Sequence, residues 1–174
     1  QAIQEWLNGT DLYRDARSHL ATTIYNGLTG RMTDGDRGIE YKDFYVLLKR
    51  EHPNKSIDEL VAPVTAAFFN TPRHLFSQPF FLGNQDVYRD LVMLSEQGQT
   101  ISQPSLMAFI LSVLDLKGNE KVLEIGAGSG WFAAWMSLLV GHVDAVERIP
   151  GLVSQARISI DRTLRTEKVK IFKG

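Results

Sequence analysis

The sequence predicts an α/β fold: a parallel β-sheet with crossover helices within residues 56–174, preceded by a mainly helical extension over residues 1–55. Three observations predict it. From Lys121 to Phe172 the pattern runs strand, helix, strand, helix, strand. A glycine-rich loop, Gly126–Gly130, joins the first strand to the first of those helices. The residues up to Lys55 read as helical and irregular. Strands alternating with helices imply a parallel sheet with right-handed crossovers.

In the extension, Leu12, Ala16, Leu20, Ile24 and Leu28 recur every four residues, with Tyr13 and Tyr25 beside them, forming one apolar helix face. Thr10 or Asp11 is placed to cap its start and Gly30 its end. A polar turn over Thr33–Gly38 leads to a second short helix around Tyr41, Phe44, Tyr45, Leu47 and Leu48, and residues 51–55 read as a linker. Ser56-Ile57-Asp58-Glu59 matches a capping box, in which side chains satisfy the orphaned N–H groups of a helix start. The helix behind it buries Leu60, Val61, Val64, Ala67 and Phe68 and stops at Asn70-Thr71-Pro72.

Residues 73–100 read as mostly loop, anchored by Phe76, Phe80, Phe81 and Leu82. Pro104 suits the first turn of a helix, with Leu106, Phe109, Ile110, Val113 and Leu114 as its buried face. Strands follow at Lys121–Ile125, His142–Val146 and Val169–Phe172. Between them lie two helices. One carries Phe132, Trp135, Met136, Leu139 and Val140 and is stopped by Gly141; the other opens at Pro150 and carries Leu152, Val153, Ala156, Ile160 and Leu164. Trp131 and Trp135 read as core residues, with Trp131 also next to the glycine loop, and His74 reads as a structural hydrogen-bonding group.

Composition narrows the function classes. The chain has 174 residues, 44% of them hydrophobic, enough for a domain with a real core. Twenty acids balance nineteen bases, so no polybasic nucleic-acid surface is expected. Gly151–Gly174 carries six basic residues and two acids, which reads as a solvated helix face. Cysteine is absent, which excludes disulfides, a thiol nucleophile and a cysteine metal site. The apolar runs Leu106–Leu114 and Phe132–Val140 are about half the roughly 20 residues of a membrane span, and no leader is read at the start, so the cytoplasm is the expected compartment. Asp34–Ile39 is a polar turn rather than a calcium loop, because the position needing glycine is Arg37. Asn8-Gly9-Thr10 is a glycosylation sequon with no sign of secretion. No metal site is expected.

The chemistry-bearing motif is Glu124-Ile125-Gly126-Ala127-Gly128-Ser129-Gly130. Glycines between a strand and a helix let the backbone turn sharply and approach a ligand closely. No Gly-Lys-Ser/Thr follows, so it is not a phosphate loop. Glu147 ends the second strand, 21 residues after Gly126. A carboxylate there can accept hydrogen bonds from both hydroxyls of a ribose. Loop and acid together read as a nucleoside-binding half-site. The plainer reading is a tight turn with a solvated glutamate, or a surface pair with Arg148, though exposed pairs contribute only about 0–1 kcal/mol.

Gly98-Gln99-Thr100-Ile101-Ser102-Gln103-Pro104 resembles the signature of the protein-L-isoaspartate O-methyltransferase family. Pro72–Phe76, Val122–Gly130 and Val146–Ile149 agree in order and spacing, and Tyr88 and Asp90 fit the loop before the signature. The resemblance covers about residues 57–174. It implies a Rossmann-like S-adenosylmethionine-dependent methyltransferase that transfers a methyl group to the carboxylate of an L-isoaspartyl or D-aspartyl residue in a damaged protein, a repair reaction leaving S-adenosylhomocysteine. It further implies a donor site drawn from Gln99, Thr100, Glu124, Gly126, Ala127, Gly128, Ser129, Gly130, Glu147 and Arg148, with Ser102 as the active-site serine. Ser102 also reads as a helix cap before Pro104, and both roles can coexist.

The chain departs from the family over Leu91–Gln97, which lacks a proline-containing pattern. The family's sheet also continues past the point where this chain stops at Gly174, so about half the sheet is expected to be missing and an edge left unpaired, open to self-association. Two other readings stay open: a related methyltransferase acting on another peptide carboxylate, and a truncated binding or assembly module without enzymatic activity.

Overall fold

The computed structural model describes residues 11–32, 39–77 and 85–174. The expected cap at Thr10, the sequon at Asn8, the turn over Thr33–Gly38 with its calcium-like run, and the anchors Phe80, Phe81 and Leu82 lie outside the described residues.

Helix α1 (Asp11–Leu28) buries Tyr13, Leu20, Ile24 and Leu28, the stripe that its four-residue periodicity anticipates. Helix α2 (Ile39–Glu51) contributes Tyr41 and Leu48. Helix α3 (Ile57–Phe69) buries Leu60, Val61, Val64, Ala67 and Phe68. Ser56 occupies its N-cap position, but no capping hydrogen bond forms from the side chain, so the capping box is not built. Ser56 is exposed, where water satisfies the helix start without it. These side chains join one buried cluster that continues through the rest of the molecule.

Between α3 and the next helix lie short 3-10 turns at Arg73–Phe76 and Gln85–Tyr88 and a two-stranded antiparallel ribbon, β1 (Met93–Leu94) with β2 (Thr100–Ile101). The segment read as loop thus contains a ribbon too short to show alternation. Helix α4 (Pro104–Leu114) begins at the expected proline. Its buried face is not the expected one. Met107, Ala108, Leu111 and Ser112 point inward, whereas Leu106 and Leu114 are exposed and Phe109, Ile110 and Val113 are only partly buried. A helix apolar around most of its circumference carries no periodicity that says which side faces the core.

The sheet is parallel, in the order β3 (Lys121–Ile125), β4 (His142–Glu147), β5 (Val169–Lys173). Helix α5 spans only Trp131–Met136, followed by turns, so Gly141 does not stop a helix. Its N–H instead donates to the Glu120 carbonyl where β4 begins. Helix α6 (Pro150–Leu164) runs as expected. Trp131 and Trp135 are both fully buried; their indole N–H groups donate to the carbonyls of Thr71 and Val64, pinning α5 to α3.

One face of the sheet, with Val143, Ala145, Glu147 and Ile171, is buried. The opposite face leaves Leu123, Ile125 and Phe172 exposed, Ile125 to 75%. Among the described residues no helix is long and apolar enough to cross a membrane.

Candidate functional site

Strand β3 delivers the chain to the glycine loop at the carboxyl end of the sheet, where open α/β folds bind ligands. The Gly126 and Ala127 N–H groups both donate to the Val146 carbonyl, at 2.8 and 3.1 Å, and fasten the loop to the end of β4. Gly126 and Gly128 have φ of +85° and +54°, and a Cβ on either would meet nothing within 4 Å. Their backbone therefore faces open space. Gly130 differs: with φ +81°, an added Cβ would lie 2.9 Å from the Cβ of Ala156. The structure sets Gly130 back from the open space and uses its missing side chain to let α6 close on the loop.

Two adjoining cavities open on this loop. One, of about 220 Å³, is lined by Thr100, Ser102, Glu124, Gly126, Ala127, Gly128 and Ser129, with Trp131 behind them. The other, of about 300 Å³, is lined by Gln99, Thr100, Gly126, Gly128, Glu147 and Arg148. Every candidate residue but Gly130 lines one or both.

Glu147 is buried at 6% exposure. Its Oε2 accepts the Gly128 N–H and its Oε1 the Ile149 N–H, each at 2.9 Å. Among the described residues it makes no ion pair with Arg148, which is exposed. A surface pair is therefore not what holds this acid. Each carboxylate oxygen keeps further acceptor capacity toward the cavity.

Glu124 lies on β3, paired in register with Ala145. Its Oε2 is shielded from solvent and, among the described residues, has no hydrogen-bond partner. Burial first, and the charge of Glu147 second, push its carboxyl up to about 7. A shielded, unpartnered acid oxygen costs free energy until something cationic or hydrogen-donating reaches it. The site thus fits a ligand carrying positive charge beside Glu124 and hydroxyls beside Glu147.

Ser102 stands between the end of β2 and the start of α4, and β2 puts Thr100 over both cavities. It does not cap α4. Gln103 occupies the N-cap and makes no side-chain capping bond; Asp90 supplies the acceptor, its Oδ1 taking the Ser105 N–H at 2.9 Å. A carboxylate arriving from a neighbouring loop displaced the local serine from that role.

Arg73 carries no catalytic signal in the sequence beyond its place in Pro72–Phe76, yet it organises this region. Fully buried at 1% exposure, its guanidinium donates to the carbonyls of Val87, Arg89, Leu91, Ile101 and Ser102. It also stacks over the Trp131 ring at 5.1 Å. Burial lowers its pKa to about 10, against the favourable charge of Asp90. His74, beside it, is the structural group expected: its Nδ1 pairs with the Tyr88 hydroxyl at 2.8 Å while Tyr13 stacks on its ring.

Comparison with known proteins follows the same lines. The model of the family described as protein-L-isoaspartate(D-aspartate) O-methyltransferase matches residues 46–174. The chain is 42% identical over 112 residues to the protein-L-isoaspartate O-methyltransferase of Syntrophotalea carbinolica, covering 64% of this chain and 51% of that protein. It is 39% identical over 131 residues to the one from Methanothrix thermoacetophila, covering 73% of this chain and 61% of that one. The chain spans about half the length of the curated relatives it matches. A solved protein-L-isoaspartate O-methyltransferase superposes with a TM-score of 0.59 at 32% identity, over 76% of this chain and 41% of its own. A Plasmodium falciparum structure in complex with S-adenosyl-L-homocysteine shares the fold, with a TM-score of 0.54 at 22% identity over 76% of this chain and 62% of that one.

Proposed function

Because the chain belongs to the protein-L-isoaspartate(D-aspartate) O-methyltransferase family, we propose that it binds S-adenosylmethionine and takes part in methyl transfer to the free carboxylate of L-isoaspartyl or D-aspartyl residues in damaged proteins. One observation carries the reading: Ser102 and Glu124 line the same cavity as the glycine loop. On this reading an acceptor-orienting hydroxyl and a donor cradle share one space.

The donor, when bound, supplies a methyl group on a sulfonium; as the acceptor oxygen forms the new C–O bond, the C–S electron pair returns to sulfur. Glu147 would hold the ribose hydroxyls on the acceptor capacity left by Gly128 and Ile149. Glu124 would face the positive end of the donor, which favours its ionised form. Gln99, Thr100 and Arg148 would complete the walls, with Ala127 and Ser129 backing the loop. Ser102 would donate its hydroxyl hydrogen to one oxygen of the acceptor carboxylate, turning the other toward the methyl group. The acceptor is already ionised near neutral pH, so no general base is needed and alignment is the main lever.

The test is twofold: calorimetric titration of S-adenosylhomocysteine into the chain, and transfer of labelled methyl to an isoaspartyl peptide against its aspartyl twin. Saturable binding with transfer to the isoaspartyl peptide alone is the expected result. Binding without transfer to either peptide would move the reading to another peptide carboxylate, and a folded chain with no affinity would overturn it. A second reading, self-association, is favoured by the exposed Leu123, Ile125 and Phe172 on one face of the sheet.

A further inference from the structure

Tyr41 precedes the residues matched by the family model, which begin at 46, yet through Asp90 it is linked to the segment that carries Ser102. Helix α2 meets α1 where Gly27 has no side chain: a Cβ there would lie 2.2 Å from Cδ1 of the Tyr41 ring. The ring is thus seated against the backbone of α1. Its hydroxyl donates to Oδ2 of Asp90 at 2.7 Å. The other oxygen of that carboxylate, Oδ1, accepts the Ser105 N–H, and Gln103 Nε2 approaches Oδ2 at 3.5 Å.

This acid does a job that the local sequence leaves open. Pro104 has no N–H, Gln103 makes no side-chain cap, and Ser105 is the first residue of α4 with a donor to satisfy. A carboxylate also favours the positive end of the helix. Held by Ser105 on one oxygen and by only a 3.5 Å contact from Gln103 on the other, Asp90 could swing on its loop. The Tyr41 hydroxyl removes that freedom by holding the second oxygen. Ser102 lies two residues ahead of Pro104, with its carbonyl held by Arg73, so the orientation of the α4 start sets where the serine stands.

We propose that Tyr41 is a positioning residue for the acceptor: acting through Asp90, it fixes the start of α4 and so the placement of Ser102. The helical extension is then a working part of the acceptor site. The inference rests on the role proposed above for Ser102.

The experiment uses the whole chain and Tyr41→Phe, which keeps the ring on Gly27 and removes only the hydroxyl. Three quantities are read: the Kd for S-adenosylhomocysteine, kcat and KM for an isoaspartyl peptide, and the exchange rate of the Ser105 amide by NMR. The expected result is a Kd within twofold of the parent, a kcat lowered about tenfold, and Ser105 exchange accelerated about tenfold while the amides of Gly126 and Ala127 keep their rates. Adding Tyr41→Phe to Asp90→Asn should then change little further. Parent-like kcat and Ser105 exchange in a folded variant would overturn the proposal. So would a parallel loss of donor affinity and a general rise in exchange, which mark a purely structural role. If the parent transfers no methyl group, the proposed reaction falls by itself, and unchanged Ser105 exchange in Tyr41→Phe separately overturns the positioning role.

Discussion

Glu147 and Gly128 are joined by a 2.9 Å hydrogen bond in which the glycine N–H donates to the carboxylate across 19 residues of sequence. The acid at the end of β4 therefore shapes the loop as well as facing the cavity beside it.

Glu147→Gln separates those roles from simple occupancy of space. The amide presents a donor where one of the backbone N–H groups needs an acceptor, leaving a buried donor unsatisfied at a cost of about 1–3 kcal/mol. The variant should unfold at lower denaturant, and its affinity for S-adenosylhomocysteine should fall at least about tenfold, equal to ~1.4 kcal/mol. Calorimetry on the folded variant checks the second figure; affinity at the parent level would detach Glu147 from the donor.

Arg73→Met leaves five carbonyls without their shared donor. Even with partial relaxation, the loss should be on the order of 3 kcal/mol or more. Urea titration gives the value, and a change under about 1 kcal/mol would mean that water replaces the guanidinium.

Glu124 gives a pH signature. Its carboxyl is raised from 4.5 to about 7 in the folded state, first by burial and then by Glu147. The folded protein thus holds a proton that the unfolded chain has released, and stability falls as pH rises between about 4.5 and 7. Glu124→Gln removes this slope. Relative to the parent, it should gain stability at pH 8, by an amount on the order of 3 kcal/mol. Melting curves at pH 5 and pH 8 test it: an equal effect at both would show that Glu124 titrates normally.

Gly130→Ala and Gly118→Ala form a matched pair. Both positions have positive φ, +81° and +95°, but only at Gly130 does an added Cβ meet a neighbour. Gly118→Ala should cost about 1–2 kcal/mol from backbone strain, and Gly130→Ala about 1–3 kcal/mol more from crowding against α6. Equal losses would show that the contact with Ala156 relaxes freely.

The exposed sheet face makes the last prediction. If Leu123 and Phe172 drive self-association, sedimentation velocity should show concentration-dependent growth that the double variant Leu123→Lys, Phe172→Lys abolishes. A parent that stays monomeric across the range rejects the assembly reading.

Much of this was legible before any tertiary contact. The apolar stripe from Leu20 to Leu28, the strands around Val122, Val143 and Ile171, and the glycine loop with its acid depend on period and local backbone geometry, which travel with the chain. Other features misled for physical reasons. Helix α4 is apolar nearly all round, so Leu106 looked as buried as Met107 proved to be. The helix expected from Phe132 to Val140 is a turn and a half long; Leu139 and Val140 continue the apolar pattern past its end, so the periodicity overstates its length. Ser56 had the right spacing for a capping box, but an exposed helix start does not require one.

By itself the sequence determined the α/β order, the glycine loop and the acid at the end of β4, because each is set by neighbours along the chain. Only the tertiary structure decided that Arg73 gathers carbonyls from two segments, that Asp90 caps a helix fifteen residues away, and that Tyr41 holds Asp90. Backbone carbonyls have the same chemistry at every residue and leave no mark in a sequence. Which of them a buried side chain satisfies is settled only when packing excludes water and brings them within reach.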